Sequence, residues 1–268
     1  MSDRALRIDV TGEPSFITPP SYGVGSFLVH VRVTPRGSLD VIRVFAGDTG
    51  IQDVARGETS RTKLRAEFDG LAKTLHTRPI QMPGDYVAAR IRALVEEDRA
   101  AGRALSERDA KIVDALPVIS PEPAHPTRAW PAPDDVAARL EGSLALHGEA
   151  EVSRWLPSGR AIAFVSEHVS RTRGAVSDPG ADDDAETRGA FSTAIDAFYS
   201  PVERRRLALA LRDVAVLFGA SRRVDRAMTA LAVADALESE GGPAPHEIPF
   251  VFGLYYKYML ARREADKK

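Results

Sequence analysis

The sequence predicts an α+β protein in which a small antiparallel β unit precedes a predominantly α-helical region. Three observations carry this prediction. Alternating apolar residues recur in the first 50 positions, six prolines interrupt residues 117–133, and apolar residues at helical spacing dominate from residue 134 onward. We therefore divide the chain into a β-hairpin plus helices at 1–116, a Pro-rich connector at 117–133 and an α-helical region at 134–268.

Two strands are predicted at residues 27–33 and 39–46. In the first, Phe and Val residues alternate with His30 and Arg32, so the polar pair faces one side and the apolar residues the other. The four turn residues between the strands favour an antiparallel hairpin. Because two strands alone are marginal in water, a third strand or a helix must cover their apolar face, and residues 6–10 are one candidate.

Helices are predicted to follow this β unit, which residues 47–50 close. A short helix is expected from Lys63 to His76, and an amphipathic helix from Asp85 to Ala101. Ser106 and Asp109 resemble a capping box that opens another short helix.

The six prolines of residues 117–133 break regular structure and mark the best linker in the chain. The alternative is an ordered arm that lies on the surface with Trp130 as its anchor.

The C-terminal region is predicted to be helical in pieces, at residues 134–147, 149–156, 159–173, 182–199 and 246–263. Its centre is a helical hairpin at 200–241. Ser200, Pro201 and Glu203 form a strong helix start. Gly219 is expected to end the first helix, and Ser221 to cap the second.

The composition excludes several kinds of protein and site. A formal net charge of −2 over 268 residues argues against a wholesale nucleic-acid or membrane-surface binder. Without cysteine there is no disulfide, thiolate nucleophile or cysteine-ligated zinc. No apolar run approaches the ~20 residues of a membrane span, and the N-terminus lacks the apolar core of a secretion signal. We expect a cytoplasmic protein, and the Ala- and Arg-rich composition is typical of GC-rich bacterial genomes.

Catalytic motifs are also missing from the sequence. No two of the six histidines lie three or four residues apart, and no nucleophile elbow, phosphate-binding loop or dinucleotide fingerprint is present. We therefore predict no catalytic, metal or cofactor site from motifs. A site in which His30, His76 or His168 meets carboxylates only in the fold stays open, and it would favour a hydrolase.

An arginine-rich stretch is one candidate surface. Residues 201–226 carry a net charge of +4, and residues 167–186 carry −4. The two segments either neutralise each other or leave a basic surface for RNA, DNA or an acidic partner. The residues of that surface would be Arg204, Arg205, Arg212, Arg222, Arg223 and Arg226.

The final helix is the other candidate surface. Its aromatic residues extend more than halfway round, so it is either buried or offers one side to a partner or a second copy. The residues of this partner surface would be Phe252, Tyr255, Tyr256 and Tyr258.

Abundant helices and apolar surface, together with the missing motifs, favour a non-catalytic interaction or scaffold protein with a protein partner or self-association. Nucleic-acid binding through the arginines and hydrolysis at a site assembled in the fold are the alternatives.

Overall fold

The computed structural model describes residues 6–10, 13–18, 25–75, 78–175 and 183–265. The chain divides into two units. The first comprises Met1–Ala132 with Arg212–Ala227, and the second comprises Pro133–Leu211 with Met228–Lys268. The predicted α+β class is confirmed, since strands precede a predominantly helical region. The division of the chain at residues 1–116, 117–133 and 134–268 stays a prediction.

The first unit contains an antiparallel sheet. Its strands in the described part of the chain are β1 (Ser15–Ile17), β2 (Ser26–Val33), β3 (Leu39–Gly47), β4 (Gly50–Thr59) and β5 (Ile80–Met82). They lie in the order β4-β3-β2-β1-β5.

The predicted hairpin is confirmed, because β2 and β3 pair antiparallel from Ser26 opposite Ala46 to Val33 opposite Leu39. The third strand predicted at residues 6–10 is wrong. The hairpin is flanked by β1 and β4 instead, and residues 47–50 turn the chain into β4 rather than closing the unit.

The two faces of this sheet pack against different helices. Helix α1 (Arg61–Leu75) covers one face, where its Leu64 and Phe68 join a core with Val29, Val31, Leu39 and Val41. Helix α2 (Gly84–Ala100) lies against the other face. His30 lies on that second face, opposite to Val29 and Val31 as the alternation predicts. Helix α3 (Glu107–Asp114) follows, and Ser106 caps it as predicted by accepting the Asp109 N–H.

The Pro-rich segment has local structure of its own. Residues Pro126–Ala129 form a 3₁₀ turn, and His125 caps it by accepting the Thr127 N–H. His125, Thr127 and Trp130 are buried while most of their neighbours are exposed. The Trp130 Nε1 donates to the Arg7 carbonyl at 3.3 Å. This segment is therefore attached to the first unit at a few points.

The helical pieces of the C-terminal region are α4 (Val136–Glu141), α5 (Gly159–Ala175), α6 (Asp183–Phe198), α7 (Pro201–Ala220), α8 (Val224–Glu238) and α9 (Pro249–Ala265). The α-helix predicted at 134–147 is shorter, because Gly142–Gly148 continue as a 3₁₀ helix. The helix predicted at 149–156 is wrong. The chain turns there between Gly148 and Pro157, and Trp155 is buried.

The break between α7 and α8 differs from the prediction. Helix α7 begins as expected, with the Ser200 Oγ accepting the Glu203 N–H at 3.4 Å. It continues through Gly219, however, and Arg222 adopts the left-handed conformation with φ of 60°. The Arg223 N–H donates to the Phe218 carbonyl at 2.8 Å, and the Arg222 N–H to Gly219 at 3.0 Å. These are the two bonds of a Schellman motif.

Candidate functional site

The inner side of α9 is fixed in the core of the second unit. Phe250, Val251, Leu254 and Tyr255 are buried. The His147 ring stacks on Phe250 with centroids 4.6 Å apart, and its Nε2 donates to the Phe250 carbonyl at 2.9 Å. Nε2 therefore carries the proton of the neutral ring. Burial lowers the pKa of His147, which keeps it in this neutral form.

The outer side of α9 is apolar and exposed. Four side chains keep much of their surface in solvent: Phe252 (39%), Tyr256 (51%), Met259 (36%) and Leu260 (41%). At 3.6 residues per turn they fall within an arc of about 100°. We call these four residues the α9 face. A helix that borders solvent normally presents polar residues there, so the α9 face is an exception.

No charge interrupts the α9 face. Lys257 is the only charged residue between positions 249 and 260. It lies on another side of the helix, where its Nζ donates to the Ser153 carbonyl at 2.7 Å and lies 3.5 Å from the His147 Nδ1. Burial lowers the pKa of Lys257. Lys257 therefore lies against neighbouring backbone, and the α9 face from Phe252 to Leu260 carries no charge.

The structure divides the residues of the predicted partner surface. Phe252 and Tyr256 belong to the α9 face, and Tyr258 is half-buried. Tyr255 is only 2% exposed, so it lies in the core and is not available to a partner. Its ring packs edge-on against Phe191 at 5.8 Å, and burial raises the pKa of its hydroxyl. Met259 and Leu260 were missing from the prediction, although their spacing from Phe252 identifies the same side of a helix.

Apolar residues beside α9 enlarge this surface. Phe191 of α6 packs edge-on against Phe252, with centroids 6.1 Å apart. Leu144 is exposed and lies close to Gly253, where an added Cβ would come within 2.7 Å of its Cδ1. The exposed part of the α9 face alone is about 300 Å², given ~200 Å² for a large apolar side chain. This is the size of the largest, often functional, apolar patch on a monomer, and less than half of one side of a stable interface.

The predicted basic surface is divided between the two units. Arg204 and Arg205 belong to the second unit, and Arg212, Arg222, Arg223 and Arg226 belong to the first. Arg212 is 2% exposed, so it does not belong to any surface. The Arg204 Nε donates to the Tyr199 carbonyl at 3.0 Å, and the Arg223 guanidinium lies 4.6 Å from the Phe218 ring. Several of these arginines therefore serve local packing.

The acidic segment that was expected to neutralise these arginines is only partly described. Glu167 forms an ion pair with Arg171 on α5. Residues 176–182, with Asp178 and Asp182, lie outside the described residues, as do the side chains of 183–187. Neutralisation of one segment by the other stays a prediction.

One histidine does meet carboxylates in the fold. A cleft of about 420 Å³ in the first unit is lined by His30, Glu13, Asp40 and Asp85, together with Arg32 and the start of α2. His76 lies outside the described residues, and His168 stacks on Phe164 of its own helix. In the ranges that the structure describes, no group of three His, Asp or Glu residues could hold a metal ion.

The cleft holds one neutral base and one fixed carboxylate. His30 is 9% exposed, and burial lowers its pKa, so the imidazole is neutral at pH 7. Its Nδ1 lies 3.5 Å from the Ser15 Oγ, which accepts the Val31 N–H at 3.0 Å. Hydrogen bonds from Arg56 and Arg32 lower the pKa of Asp40. Because Ser15 is fully buried, a reaction here would use water and not a serine nucleophile.

Comparison of the chain with protein-family models, with curated proteins and with solved structures finds no match. Within the described ranges, no helix has the length and apolar character needed to cross a membrane.

Proposed function

We propose that this chain is a non-catalytic interaction protein that docks a protein partner, or a second copy of itself, on the α9 face. The observation that carries the proposal is an exposed helix side with four large apolar residues and no charged residue among them between positions 252 and 260. Exposed apolar patches rimmed by polar residues are typical of protein-interaction sites.

The size of the α9 face limits the binding free energy that it provides alone. Burying about 300 Å² contributes roughly 7 kcal/mol. Association costs roughly 4–15 kcal/mol in lost rigid-body freedom. The partner therefore makes further contacts. Phe191 and Leu144 lie beside the α9 face, and we expect the partner to contact them as well. We expect moderate affinity.

Charge insertion into the α9 face tests this proposal. A tagged double variant, Tyr256→Glu with Met259→Glu, is compared with wild type by affinity purification from the source cells and by light scattering of the pure protein. The matched control is Arg108→Glu on the exposed surface of α3. We expect wild type and the control to retain the same stoichiometric partner or dimer, and the double variant to lose it while keeping its thermal unfolding transition. A monomeric wild type without a partner contradicts the proposal, and so does equal retention by all three proteins.

A second candidate function is hydrolysis of a small substrate in the first-unit cleft. One observation favours it, namely that the neutral His30 lines the same cleft as Asp40 and Asp85. General-base catalysis is worth about a hundredfold or more in rate. We expect His30→Gln to reduce hydrolysis of p-nitrophenyl acetate by that factor, with His246→Gln as control. Rates that are equal in both variants and wild type remove this candidate.

Nucleic-acid binding stays a prediction without a supporting observation. Arg212 is buried, and Arg206 and Arg160 both pair with Glu203.

A further inference from the structure

The first part of the Pro-rich segment, residues 117–127, is mostly exposed and has two buried residues. His125 and Thr127 are buried, whereas Val118 is 79% exposed and most of the residues between them lie in solvent. We call residues 117–127 the strap. At its start the Arg92 Nε donates to the Pro117 carbonyl at 3.1 Å, and its buried contact is the imidazole of His125.

The hydrogen bonds of His125 define its protonation state. Its Nδ1 accepts the Thr127 backbone N–H at 3.1 Å, so the proton of the neutral ring is on Nε2. That nitrogen lies 3.2 Å from the Asp213 Oδ1 of α7 and donates to it. Both nitrogens of the neutral ring are thus satisfied inside the protein.

Charged groups of α2 and α7 surround His125. Asp213 is fully buried and already receives the Arg90 guanidinium of α2, with contacts of 2.8 and 3.0 Å. Tyr86 of α2 packs edge-on against the imidazole at 5.2 Å, and Arg212 adds a second positive charge from α7. Glu122 of the strap acts on Tyr86, whose pKa is raised to about 12 by burial.

Protonation of His125 would disturb this arrangement. A proton on Nδ1 removes the acceptor of the Thr127 N–H, although the Thr127 Oγ1, 2.8 Å away, can accept the new proton. The imidazolium would also share one buried carboxylate with Arg90. Burial is the largest cause that lowers the pKa of His125, and Arg90 and Arg212 lower it further, while the bond to Asp213 raises it.

Just after the strap, Trp130 is held by groups that do not titrate. The Trp130 Nε1 donates to the Arg7 carbonyl, and its ring lies against Gly219, where an added Cβ would be 3.0 Å away. This contact fixes one end of the strap.

We propose that the strap is a pH-sensitive element, which lies on α2 and α7 while His125 is neutral and lifts off between Pro117 and Trp130 when acid protonates that residue. Lifting would uncover Tyr86 and the Arg90–Asp213 pair. This device is independent of the α9 face and goes beyond the proposed function.

Amide hydrogen exchange of the full chain at pH 7.5 and pH 5.0, corrected for intrinsic rates, tests the strap. We expect protection of the Thr127 amide, whose N–H donates to the His125 Nδ1, to fall about tenfold or more at pH 5.0, as in local opening. Protection of β2 and β3 should fall by a smaller factor. The variant His125→Asn keeps a cap acceptor but does not titrate. It should show no pH-dependent change, and His246→Gln should behave as wild type.

Unchanged protection of the strap at pH 5.0 overturns the proposal, and so does an equal loss in His125→Asn. If that variant does not fold, nuclear magnetic resonance of wild type decides. The midpoint of the His125 Hε1 titration must coincide with the loss of strap protection. A loss of protection in β2 and β3 by the same factor as in the strap would mean global unfolding and would also overturn the proposal.

Discussion

Helix α9 packs so closely at Gly253 that a larger side chain there would clash with its neighbours. An added Cβ would lie 2.7 Å from both the His147 Nε2 and the Leu144 Cδ1, and His147 is held by stacking and by its hydrogen bond. Overpacking of this kind costs about 1–3 kcal/mol. We expect Gly253→Ala to destabilise the protein by roughly this amount in urea unfolding. At Gly189 of α6 nothing lies within 4 Å, so Gly189→Ala should stabilise by up to ~1 kcal/mol. Equal effects of the two substitutions would contradict the packing described for α9.

Two buried histidines and one half-buried histidine predict how stability depends on pH. Burial lowers the pKa of His30, His125 and His147 below 6.5. Below pH 6.5 the unfolded chain therefore binds more protons than the folded one, and stability decreases. The contribution is fully present above pH 6.5 and is lost as the pH falls through the folded pKa values.

We expect the free energy of unfolding, measured in urea, to fall between pH 7 and pH 5. His147→Gln should show a shallower fall than wild type, whatever its stability at pH 7. Stability that is constant or rises over this range would contradict the neutral state of these residues.

Among the elements, the turn between α7 and α8 shows how packing overrides local preference. Glycine favours the left-handed position that ends a helix. Gly219 is instead helical. A glycine is needed there because Trp130 and the Leu6 carbonyl would lie 3.0 and 3.1 Å from an added Cβ. Arg222 takes the left-handed position, with φ of 60°. The requirement for a small residue at 219 came from distant segments and was invisible in the local sequence.

This turn yields a paired prediction. Arg222→Gly should stabilise the protein by about 0.5–1 kcal/mol, since glycine adopts the left-handed conformation without strain. Gly219→Ala should destabilise it by about 1–3 kcal/mol through overpacking. Thermal or urea unfolding measures both. If Arg222→Gly destabilises the protein and Gly219→Ala stabilises it, the sequence-based assignment of Gly219 as the helix end would be correct instead.

Strand β4 shows why some strands could not be predicted from the spacing of apolar residues. It spans Gly50–Thr59, yet Val54 is its only buried residue among charged and glycine positions. An edge strand of this composition lacks the apolar alternation that identified β2 and β3. Strands β1 and β5 have three residues each, too few for any periodicity. The hairpin was therefore predictable and the rest of the sheet was not.

At the scale of the whole molecule, the sequence was sufficient for the α+β class and for most helices, because apolar spacing is a local property. The candidate sites depend on long-range contacts. The cleft joins His30 of β2 with Asp40 of β3 and Asp85 of α2. The aromatic residues of α9 were evident in the sequence, but their division into core and exposed side follows from packing against His147, Phe191 and Tyr199.

Site-specific photo-crosslinking in the source cells tests the interaction function most directly. A benzophenone amino acid is placed at Phe252, Tyr256 or Leu260 on the α9 face, and at the exposed Glu107 of α3 as control. We predict an adduct of one discrete mass from all three α9 positions and none from position 107. Absence of adducts from the α9 face, or the same adducts from position 107, would contradict the account.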